Sequence, residues 1–359
     1  MTDATWPPPD LNAAPGRAVA TCVAGLPDTI DAIAATAPDT HRFLRRQWFA
    51  AAVDTYGGPA RTIVAAQDGV VMMAIPIVAA GPHWAGIGAV PGCYWPFRSV
   101  PVAAAASVEA ADAALVVLAR AVRALRIGPV YDDDPALALL LARARAAGWG
   151  AVARPVADSY LLDMVAARAE GQWPRGSTLR KNRFHEKHLA GHGALDWRFA
   201  RKDDWPAVFD AMASVEERSW IADRTDGRDA KFTGAGHGAF FRAAARDPVI
   251  AGMFHAALLY IDDVPAAFSF DLDAGATKYA IANSYDPAFA KHSPGKLLYY
   301  RNLVEAMERG IERVDWGAGD SGYKRVIGAS EGPAIRDWLL LRPGLVACCA
   351  PLVQRALRG

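Results

Sequence analysis

The spacing of apolar and polar residues predicts a matching succession of helix, hairpin, helix and strand in both halves of the chain, with one extra strand in the second. In the first half the predicted elements are a helix at 41–56, strands at 62–66 and 70–78, a helix at 108–125 and a strand at 127–131. In the second half they are a helix at 205–220, strands at 256–261, 264–271 and 279–283, a helix at 295–309 and a strand at 312–316. A polar turn between apolar runs is typical of a β-hairpin, and the halves have one each, at Asp68-Gly69 and at Asp262-Asp263. We interpret the chain as a duplicated mixed α/β unit. The alternative is a coincidental similarity in element order between two unrelated segments.

Composition argues against two classes of protein. The chain has 359 residues and 39 Lys and Arg against 38 Asp and Glu, a net charge of +1, which disfavours a protein that binds polyanions over its whole surface. The apolar run from Leu345 to Leu352 is shorter than the roughly 18 to 20 residues of a membrane-spanning helix. The segment 1–10 is acidic and proline-rich, unlike a signal peptide. We therefore expect a cytoplasmic protein, or one at the inner face of the membrane.

The cysteines and histidines do not point to metal chemistry. The four cysteines lack CxxC spacing and the eight histidines lack an HExxH motif. We therefore expect no metal site.

A basic segment separates the two halves. From Arg168 to Lys202 there are nine Lys and Arg against three acids, a net charge of +6, and the pattern predicts a helix at 177–189. The predicted domains are an N-terminal domain at 1–165, this basic linking segment at 166–202, a C-terminal domain at 203–335, and a terminal strand and helix at 336–359.

The residues that open the last long helix of the second half have the features of an anion site. Ser293 suits the N-cap, and Pro294 suits the first helical position. The free N–H groups and the dipole of a helix start favour a phosphate group, and Lys291 and Lys296 add positive charge. We predict that both lysines, Ser293 and Gly295 bind a diphosphate; the alternative is an ordinary helix start.

Two further groups of polar residues lie in the second half. Asp320, Tyr323 and Lys324 follow a strand in a glycine-rich loop, where the backbone permits close approach of a ligand. Glu217 lies near Trp220 at the end of a predicted helix, a setting that suits a general base. The alternative for the glycine-rich loop is a tight surface turn, and the alternative for Glu217 is a solvated side chain.

One segment of the first half also has the composition of a binding site. The run Tyr94-Trp95-Pro96-Phe97-Arg98 occupies the place that Tyr285-Asp286-Pro287 occupies in the second half. Aromatic side chains beside an arginine suit a substrate wall with one anion-binding group, so Tyr94 and Arg98 are predicted substrate contacts. The alternative is a packing loop. Cys93, in the same segment, offers a rival covalent mechanism, against the alternative of a small buried cysteine.

Four of these motifs, in this order, resemble the GNAT-related acyltransferases of the FemAB-like and CelD-like group, which consist of two tandem GNAT-type domains. The motifs are Glu217-Arg218-Ser219-Trp220, the hairpin at 256–270, Tyr285-Asp286-Pro287 with Ser293-Pro294-Gly295, and Asp315-Trp316-Gly317-Ala318-Gly319-Asp320 with Tyr323-Lys324. The resemblance covers about residues 177–329 well and the first half more loosely. It implies an α/β fold of two tandem GNAT-like domains joined by the basic helix.

The resemblance also implies the reaction. An acyl group would pass from acyl-CoA, a cosubstrate rather than a bound cofactor, to a primary amine of an envelope component, either an amino sugar or a sphingoid-type lipid. Tyr323 resembles the general-acid tyrosine of GNAT enzymes. Glu217 would accept the proton of the amine, Lys324 or loop amides would stabilise the oxyanion, and Asp320 and Asp286 would hold the amine as its ammonium.

The phosphate loop departs from the family pattern. GNAT enzymes carry Gln/Arg-x-x-Gly-x-Gly/Ala, whereas the segment from Lys291 to Lys296 has only Gly295. A different thioester donor, such as an acylated carrier protein, therefore remains open.

The partners of the basic helix also remain open. It suits donor phosphates, an acidic carrier protein, an anionic membrane surface or a solvated bridging role. Nucleic acid is disfavoured, because Phe184 is the only aromatic residue within the helix.

Two alternatives to the acyl-CoA enzyme remain. They are an aminoacyl-tRNA-dependent transferase and a non-catalytic ligand-binding or scaffold protein of polysaccharide export. An enzyme requires Glu217, Tyr323 and the helix start at Ser293 to converge on one cleft, whereas a binding protein does not.

Overall fold

The computed structural model of the chain describes residues 17–93, 95–169, 171, 173–202, 204–220, 229–234, 236–320, 322–348 and 350–356. The predicted site residue Tyr94 lies outside the described residues.

Strands and helices alternate along most of the chain. The strands are β1 (Ala18–Ala24), β2 (Ala60–Gln67), β3 (Val70–Ala79), β4 (Ile87–Ala89), β5 (Ala124–Tyr131), β6 (Gly150–Asp163), β7 (Leu195–Ala200), β8 (Phe254–Ile261), β9 (Val264–Ala274), β10 (Thr277–Tyr285), β11 (Arg313–Ala318) and β12 (Ser330–Leu341). The helices are α1 (Thr29–Thr36), α2 (Arg46–Tyr56), α3 (Val108–Ala121), α4 (Pro135–Ala146), α5 (Met164–Ala169), α6 (Gly176–Leu189), α7 (Trp205–Arg218), α8 (Gly238–Ala244), α9 (Pro248–Met253), α10 (Pro294–Glu308), α11 (Tyr323–Ile327), α12 (Leu345–Cys348) and α13 (Ala350–Ala356).

Contacts between Cα atoms divide the chain into two compact units. The first unit contains Met1–Asp158 and Pro333–Gly359, and the second contains Ser159–Gly332. The basic segment predicted as a linker therefore belongs to the second unit, where Leu189 at the end of α6 packs in one apolar cluster with Leu297 of α10. Folding of 1–165 and 203–335 as separate domains stays a prediction.

The first unit is built on a mixed sheet. Its strands follow the order β1-β2-β3-β4-β5-β12, and every neighbouring pair is antiparallel except β4 and β5. The predicted hairpin joins β2 to β3, and its turn residues Asp68 and Gly69 have φ angles of 51° and 77°. Two consecutive positive φ angles give the turn a twist that matches the strands it connects.

The second unit contains the strand order β6-β11-β10-β9-β8-β7, to which β6 contributes its residues from Ser159 onwards. Only β10 and β11 run parallel, and α10 makes the crossover between them. Their pairing runs from Thr277 opposite Arg313 to Tyr279 opposite Asp315, although both strands continue further. The two strands therefore separate towards their carboxyl ends, next to the start of α10.

Phenylalanine side chains fill the core beneath α7. The ring of Phe270 on β9 lies 5.0 Å from Phe254, 5.1 Å from Phe232 and 5.8 Å from Phe209, in tilted or edge-on contacts. Such rings each bury a large apolar area, so this cluster supports the hairpin of β8 and β9. Among the residues that the structure describes, no helix combines the length and apolar character needed to cross a membrane.

Candidate active site

The start of α10 faces a pocket in the second unit. The pocket has a volume of about 260 Å³. It is lined by Asn283, Tyr285, Gly295, Lys296, Tyr299, Tyr323, Val326 and Ile327. Two predicted donor-binding residues, Gly295 and Lys296, therefore meet the predicted general acid Tyr323 in one place.

Backbone conformation sets the direction in which α10 begins. Ser293 occupies the predicted N-cap position, but its φ of 51° and ψ of 48° are left-handed and its side chain makes no capping hydrogen bond. Pro294 takes the predicted first helical position. The first N–H groups of the helix are thus left to solvent or to a ligand.

Gly295 packs closely against Tyr285. A Cβ atom at this position would lie 3.0 Å from Cδ1 of Tyr285, tighter than an ordinary carbon contact. The missing side chain lets the ring of Tyr285 on β10 rest against the first turn of α10. The pocket wall therefore depends on glycine here.

Tyr323 lies at the start of α11, and its side chain is 38% exposed. Its Oη accepts a hydrogen bond of 3.2 Å from Nδ2 of Asn283 on β10. Its ring makes an edge-on contact with Tyr299, at 6.3 Å between centroids. A donated hydrogen bond stabilises negative charge on the phenol oxygen, which suits a residue that gives up a proton.

The two predicted lysines have different settings. Lys296 lines the pocket and is half-buried, and its Nζ lies 5.9 Å from the ring centroid of Tyr300. Burial, and secondarily Lys181, lowers the pKa of Lys296. Lys291 lies exposed on the short 3₁₀ helix Pro287–His292, outside the pocket lining.

Lys324 binds the backbone of the loop that precedes it. Its buried Nζ donates to the carbonyl oxygens of Trp316 at 2.9 Å and Ala318 at 3.2 Å, and also to those of Gly317 and Gly319. Burial lowers its pKa. These carbonyls occupy the donors of the ammonium group and make Lys324 the anchor of the loop after β11; its role as oxyanion partner stays a prediction.

Asp320 also serves the loop rather than the pocket. Its Oδ1 accepts from the backbone N–H of Gly322, and its Oδ2 accepts from Nε of Arg325, both at 2.8 Å. These hydrogen bonds, the backbone one first, lower its pKa. Arg325 donates in turn to Oη of Tyr160 at 2.8 Å. Asp320 therefore positions the turn into α11 and does not line the pocket.

The helical phase of α7 gives two neighbouring glutamates different settings. Glu217 is exposed and does not line the pocket, whereas Glu216 is only 1% exposed. The carboxylate of Glu216 accepts hydrogen bonds of 2.8 to 2.9 Å from the backbone N–H groups of Lys231 and Phe232. Burial raises the pKa of Glu216. The desolvated carboxylate that the motif suggests is thus Glu216, which organises the segment near Phe232.

The remaining predicted contacts lie outside the pocket lining. Asp286 caps the 3₁₀ helix through its Oδ1 and accepts from Nε of Arg218 at 2.8 Å. Arg98 belongs to the first unit, where its Nε donates to the carbonyl oxygen of Cys93 at 3.3 Å. Cys93 is fully buried, the setting of a packing residue.

Five lining residues were not predicted as site residues from the sequence: Asn283, Tyr285, Tyr299, Val326 and Ile327. Asn283 and Tyr285 are two positions apart on β10, and Tyr299 follows Gly295 by four positions on α10. Side chains two apart on a strand and four apart on a helix share a face. This periodicity was the signal that would have placed Asn283, Tyr285 and Tyr299 beside the start of α10.

Comparison with known proteins agrees with this geometry. Residues 176–325 match the family described as acetyltransferase (GNAT) domain. No curated protein sequence matches the chain.

Solved structures share the fold. FemX has a TM-score of 0.57 at 13% identity, covering 90% of this chain and 97% of FemX. L-PGS from Bacillus licheniformis has a TM-score of 0.52 at 12% identity, covering 92% and 96%. The DUF2156 domain of an Agrobacterium fabrum protein has a TM-score of 0.52 at 15% identity, covering 91% and 94%.

The parallel strands β10 and β11 separate beside the start of α10, and Tyr323 lines the pocket at that point. Together with the family match, this arrangement is that of an acyltransferase of the GNAT type. Residues 176–325 match the acetyltransferase (GNAT) domain family, and the chain shares its fold with FemX. The predicted fold class, α/β with two GNAT-like domains, is confirmed.

Proposed function

We propose that this acyltransferase moves an acyl group from acyl-CoA to a primary amine of an envelope component, either an amino sugar or a sphingoid-type lipid. The observation that carries the proposal is the pocket shared by Gly295, Lys296 and Tyr323. A donor-binding helix start and a proton donor are the two parts that thioester aminolysis needs in one place.

The donor site is assigned to the first turn of α10. Its N–H groups and the ammonium of Lys296 supply positive charge for a diphosphate. The proposed contact surface also includes Ser293 and Lys291. Lys291 is exposed and shortly precedes the first turn of α10 in the sequence. The tyrosines of the lining give an apolar wall to the acyl or pantetheine part of the donor.

The proposed reaction is a direct transfer. The amine nitrogen attacks the thioester carbonyl, a C–N bond forms, and the C–S bond breaks. Tyr323 gives its proton to the departing thiolate, and Asn283 stabilises the phenolate until solvent restores the proton. Glu217 is proposed to take the proton that the amine loses, and Asp286 to hold the incoming ammonium.

A panel of donors tests the proposal. Purified protein is incubated with acyl-CoAs of increasing chain length and with glucosamine or sphinganine, and free CoA thiol and product mass are recorded. We expect thiol release that requires both the amine and Tyr323. A Tyr260→Phe variant, which removes a hydroxyl outside the pocket lining, should keep the wild-type rate. Absence of amine-dependent thiol release with every donor would contradict the proposal.

A second donor class is favoured by one feature of α6. Phe184 is 60% exposed, and its ring centroid lies 4.3 Å from that of His188 on a helix rich in Lys and Arg. Phe184 is the single aromatic residue of this helix, but its exposure among cations leaves the ring open to stack on a nucleic-acid base. We therefore propose aminoacyl-tRNA as the alternative donor. Transfer of a radiolabelled aminoacyl group from charged tRNA to an amine, lost in Phe184→Ala, would favour it over acyl-CoA.

A further inference from the structure

A second pocket in the second unit adjoins the pocket of Tyr323. It has a volume of about 370 Å³, within the roughly 300 to 1,000 Å³ of small-molecule sites. Val326 and Ile327 of α11 line both pockets and form a wall that the two share. The other lining residues include Trp173, Arg175, Ser177, Thr178, Tyr300 and Arg325. We call this second cavity the distal pocket, because of its position relative to the reacting groups.

The distal pocket lies at the end of α11 that is remote from the proposed general acid. Tyr323, at the start of α11, lines the first pocket but not the distal one, whereas Arg325 and Gly328 line the distal pocket only. On α10, Tyr300 lines the distal pocket, and its ring centroid lies 5.9 Å from Nζ of Lys296. A donor whose diphosphate binds at Lys296 and whose thioester lies at Tyr323 would therefore have its other end beside the distal pocket.

Arg175 is the cation that the distal pocket offers to a ligand. The residue is exposed, and among the described residues its guanidinium group makes no hydrogen bond and no ion pair. The other lining arginine, Arg325, is already held, because its Nε donates to Asp320 and its Nη2 to Oη of Tyr160, both at 2.8 Å. Asp163, the acid of the lining, caps the start of α5. Guanidinium groups bind phosphates through paired N–H donors, so Arg175 suits a phosphate group.

Trp173 gives the distal pocket an aromatic side. Its indole ring is half-buried and lies 5.9 Å from the ring of Tyr300, with 42° between the ring planes. The side chain packs against an apolar cluster that includes Tyr300 and Ile327, and these contacts fix the orientation of the ring. Aromatic side chains stack on nucleobases, and a ring that is already fixed loses little freedom on binding. The lining thus combines a base-stacking ring with a phosphate-binding cation.

We propose that the distal pocket binds the nucleotide end of acyl-CoA, with Trp173 against the adenine ring and Arg175 on the 3′-phosphate. This inference rests on the proposed function, because it takes acyl-CoA as the donor. Binding of a remote, unreactive part of a substrate supplies energy that orients the reacting part. An acylated carrier protein presents its thioester on phosphopantetheine without a nucleotide. The distal pocket therefore selects CoA as the donor against a carrier protein.

Equilibrium binding to the full chain tests the distal pocket without any transfer. Isothermal titration compares CoA with dephospho-CoA, which lacks the 3′-phosphate, and with 4′-phosphopantetheine, which lacks the whole nucleotide. We expect CoA to bind most tightly and 4′-phosphopantetheine most weakly, with a loss of about tenfold for the phosphate and about tenfold more for the base.

Three variants separate the two contacts. Arg175→Met should bind CoA about tenfold more weakly than the wild type and dephospho-CoA equally well, because only the 3′-phosphate loses a partner. Arg180→Met is the matched control, since Arg180 is an exposed arginine of α6 that lines neither pocket, and it should keep the wild-type affinity for all three ligands. Trp173→Leu should weaken CoA and dephospho-CoA alike, and its melting temperature shows whether the fold is retained.

The outcomes distinguish the distal pocket from the transfer reaction. Equal affinity of the wild type for CoA and either shorter ligand, full CoA affinity in Arg175→Met, or an equally large loss in Arg180→Met would each overturn the proposal for the distal pocket. Thiol release tests the transfer separately. CoA binding that depends on Arg175 in a protein without amine-dependent thiol release would retain the distal pocket and remove the transfer reaction. Thiol release without a preference for the nucleotide would do the reverse.

Discussion

Asn283 Nδ2 donates a hydrogen bond of 3.2 Å to Oη of Tyr323, and the two residues are 40 positions apart in the chain. The pair links the diverging end of β10 to the helix that follows β11. It places a fixed donor on the phenol oxygen that we propose as the proton source.

Removing either member of the pair should slow turnover by different amounts. Tyr323→Phe is expected to lower kcat about a hundredfold to ten-thousandfold, the range of a general acid. Asn283→Ala should lower it about two- to tenfold, the effect of one neutral hydrogen bond. Steady-state rates of thiol release measure both. A Tyr323→Phe enzyme with the wild-type rate would remove the tyrosine from the mechanism.

The adjacent glutamates should give opposite results. Glu217→Gln is expected to reduce turnover at least tenfold with an unchanged melting temperature, because the exposed side chain contributes only as a base. Glu216→Leu should destabilise the fold by about 1–3 kcal/mol, because it leaves the N–H groups of Lys231 and Phe232 without their acceptor. Rates and urea unfolding curves measure the two effects. Full activity in Glu217→Gln would show that another group accepts the proton.

Gly295→Ala should impair donor binding. The added methyl group must displace the ring of Tyr285 by a few tenths of an ångström, which narrows the pocket at the helix start. We expect KM for the donor to rise several-fold with little change in melting temperature. Gly252→Ala is the control, because its Cβ would meet only the Lys202 side chain, at an ordinary 3.8 Å. An unchanged KM in Gly295→Ala would mean that the donor does not use this turn.

A buried ion pair in the second unit should be sensitive to the loss of one partner. Lys278 and Asp271 are both fully buried, and Nζ of the lysine lies 2.8 Å from Oδ2 of the aspartate. Lys278→Met should cost about 3–5 kcal/mol of unfolding free energy, because the buried carboxylate of Asp271 loses its lysine partner. The double variant Lys278→Met/Asp271→Leu should recover much of that loss. Chemical denaturation compares them, and a double variant no more stable than the single one would contradict this account.

The same network should set the acid limit of stability. Burial alone would raise the pKa of Asp271, but Lys278 and His255 outweigh it and hold the pKa at about 2. Burial would also raise the pKa of Glu305, but hydrogen bonds from His255 and Arg309 outweigh it, and the pKa is again about 2. Both values lie below the ordinary 3.8 and 4.5, so the unfolded chain binds more protons in acid. The contribution of the two carboxylates to the free energy of unfolding is complete above about pH 4.5 and disappears as the pH falls towards 2.

Urea unfolding between pH 2 and pH 6 measures this dependence. The free energy of unfolding should fall steadily below about pH 4.5. Lys278→Met/Asp271→Leu lacks one of the two carboxyl groups, so its curve should be shallower over the same interval. Parallel curves for the two proteins would show that Asp271 does not contribute.

Local features of this protein follow from neighbours in the sequence. The turn at Asp262-Asp263, with φ angles of 47° and 62°, and the helix that begins at Pro294 both depend on residues within a few positions. Turn and helix-start preferences are short-range steric and hydrogen-bonding effects. The order of the predicted elements in the two halves could be inferred on this basis.

Side-chain roles depended on contacts between distant segments. The inward face of α7 buries Glu216 instead of Glu217, and the loop after β11 folds its carbonyls around Lys324. Strand β6 was not predicted, because exposed polar positions such as Arg154 interrupt its apolar pattern. Whether a charged group meets a ligand, another side chain or its own backbone depends on strand register and packing, because a few ångströms separate these outcomes. Only the tertiary structure brought Asn283 to Tyr323.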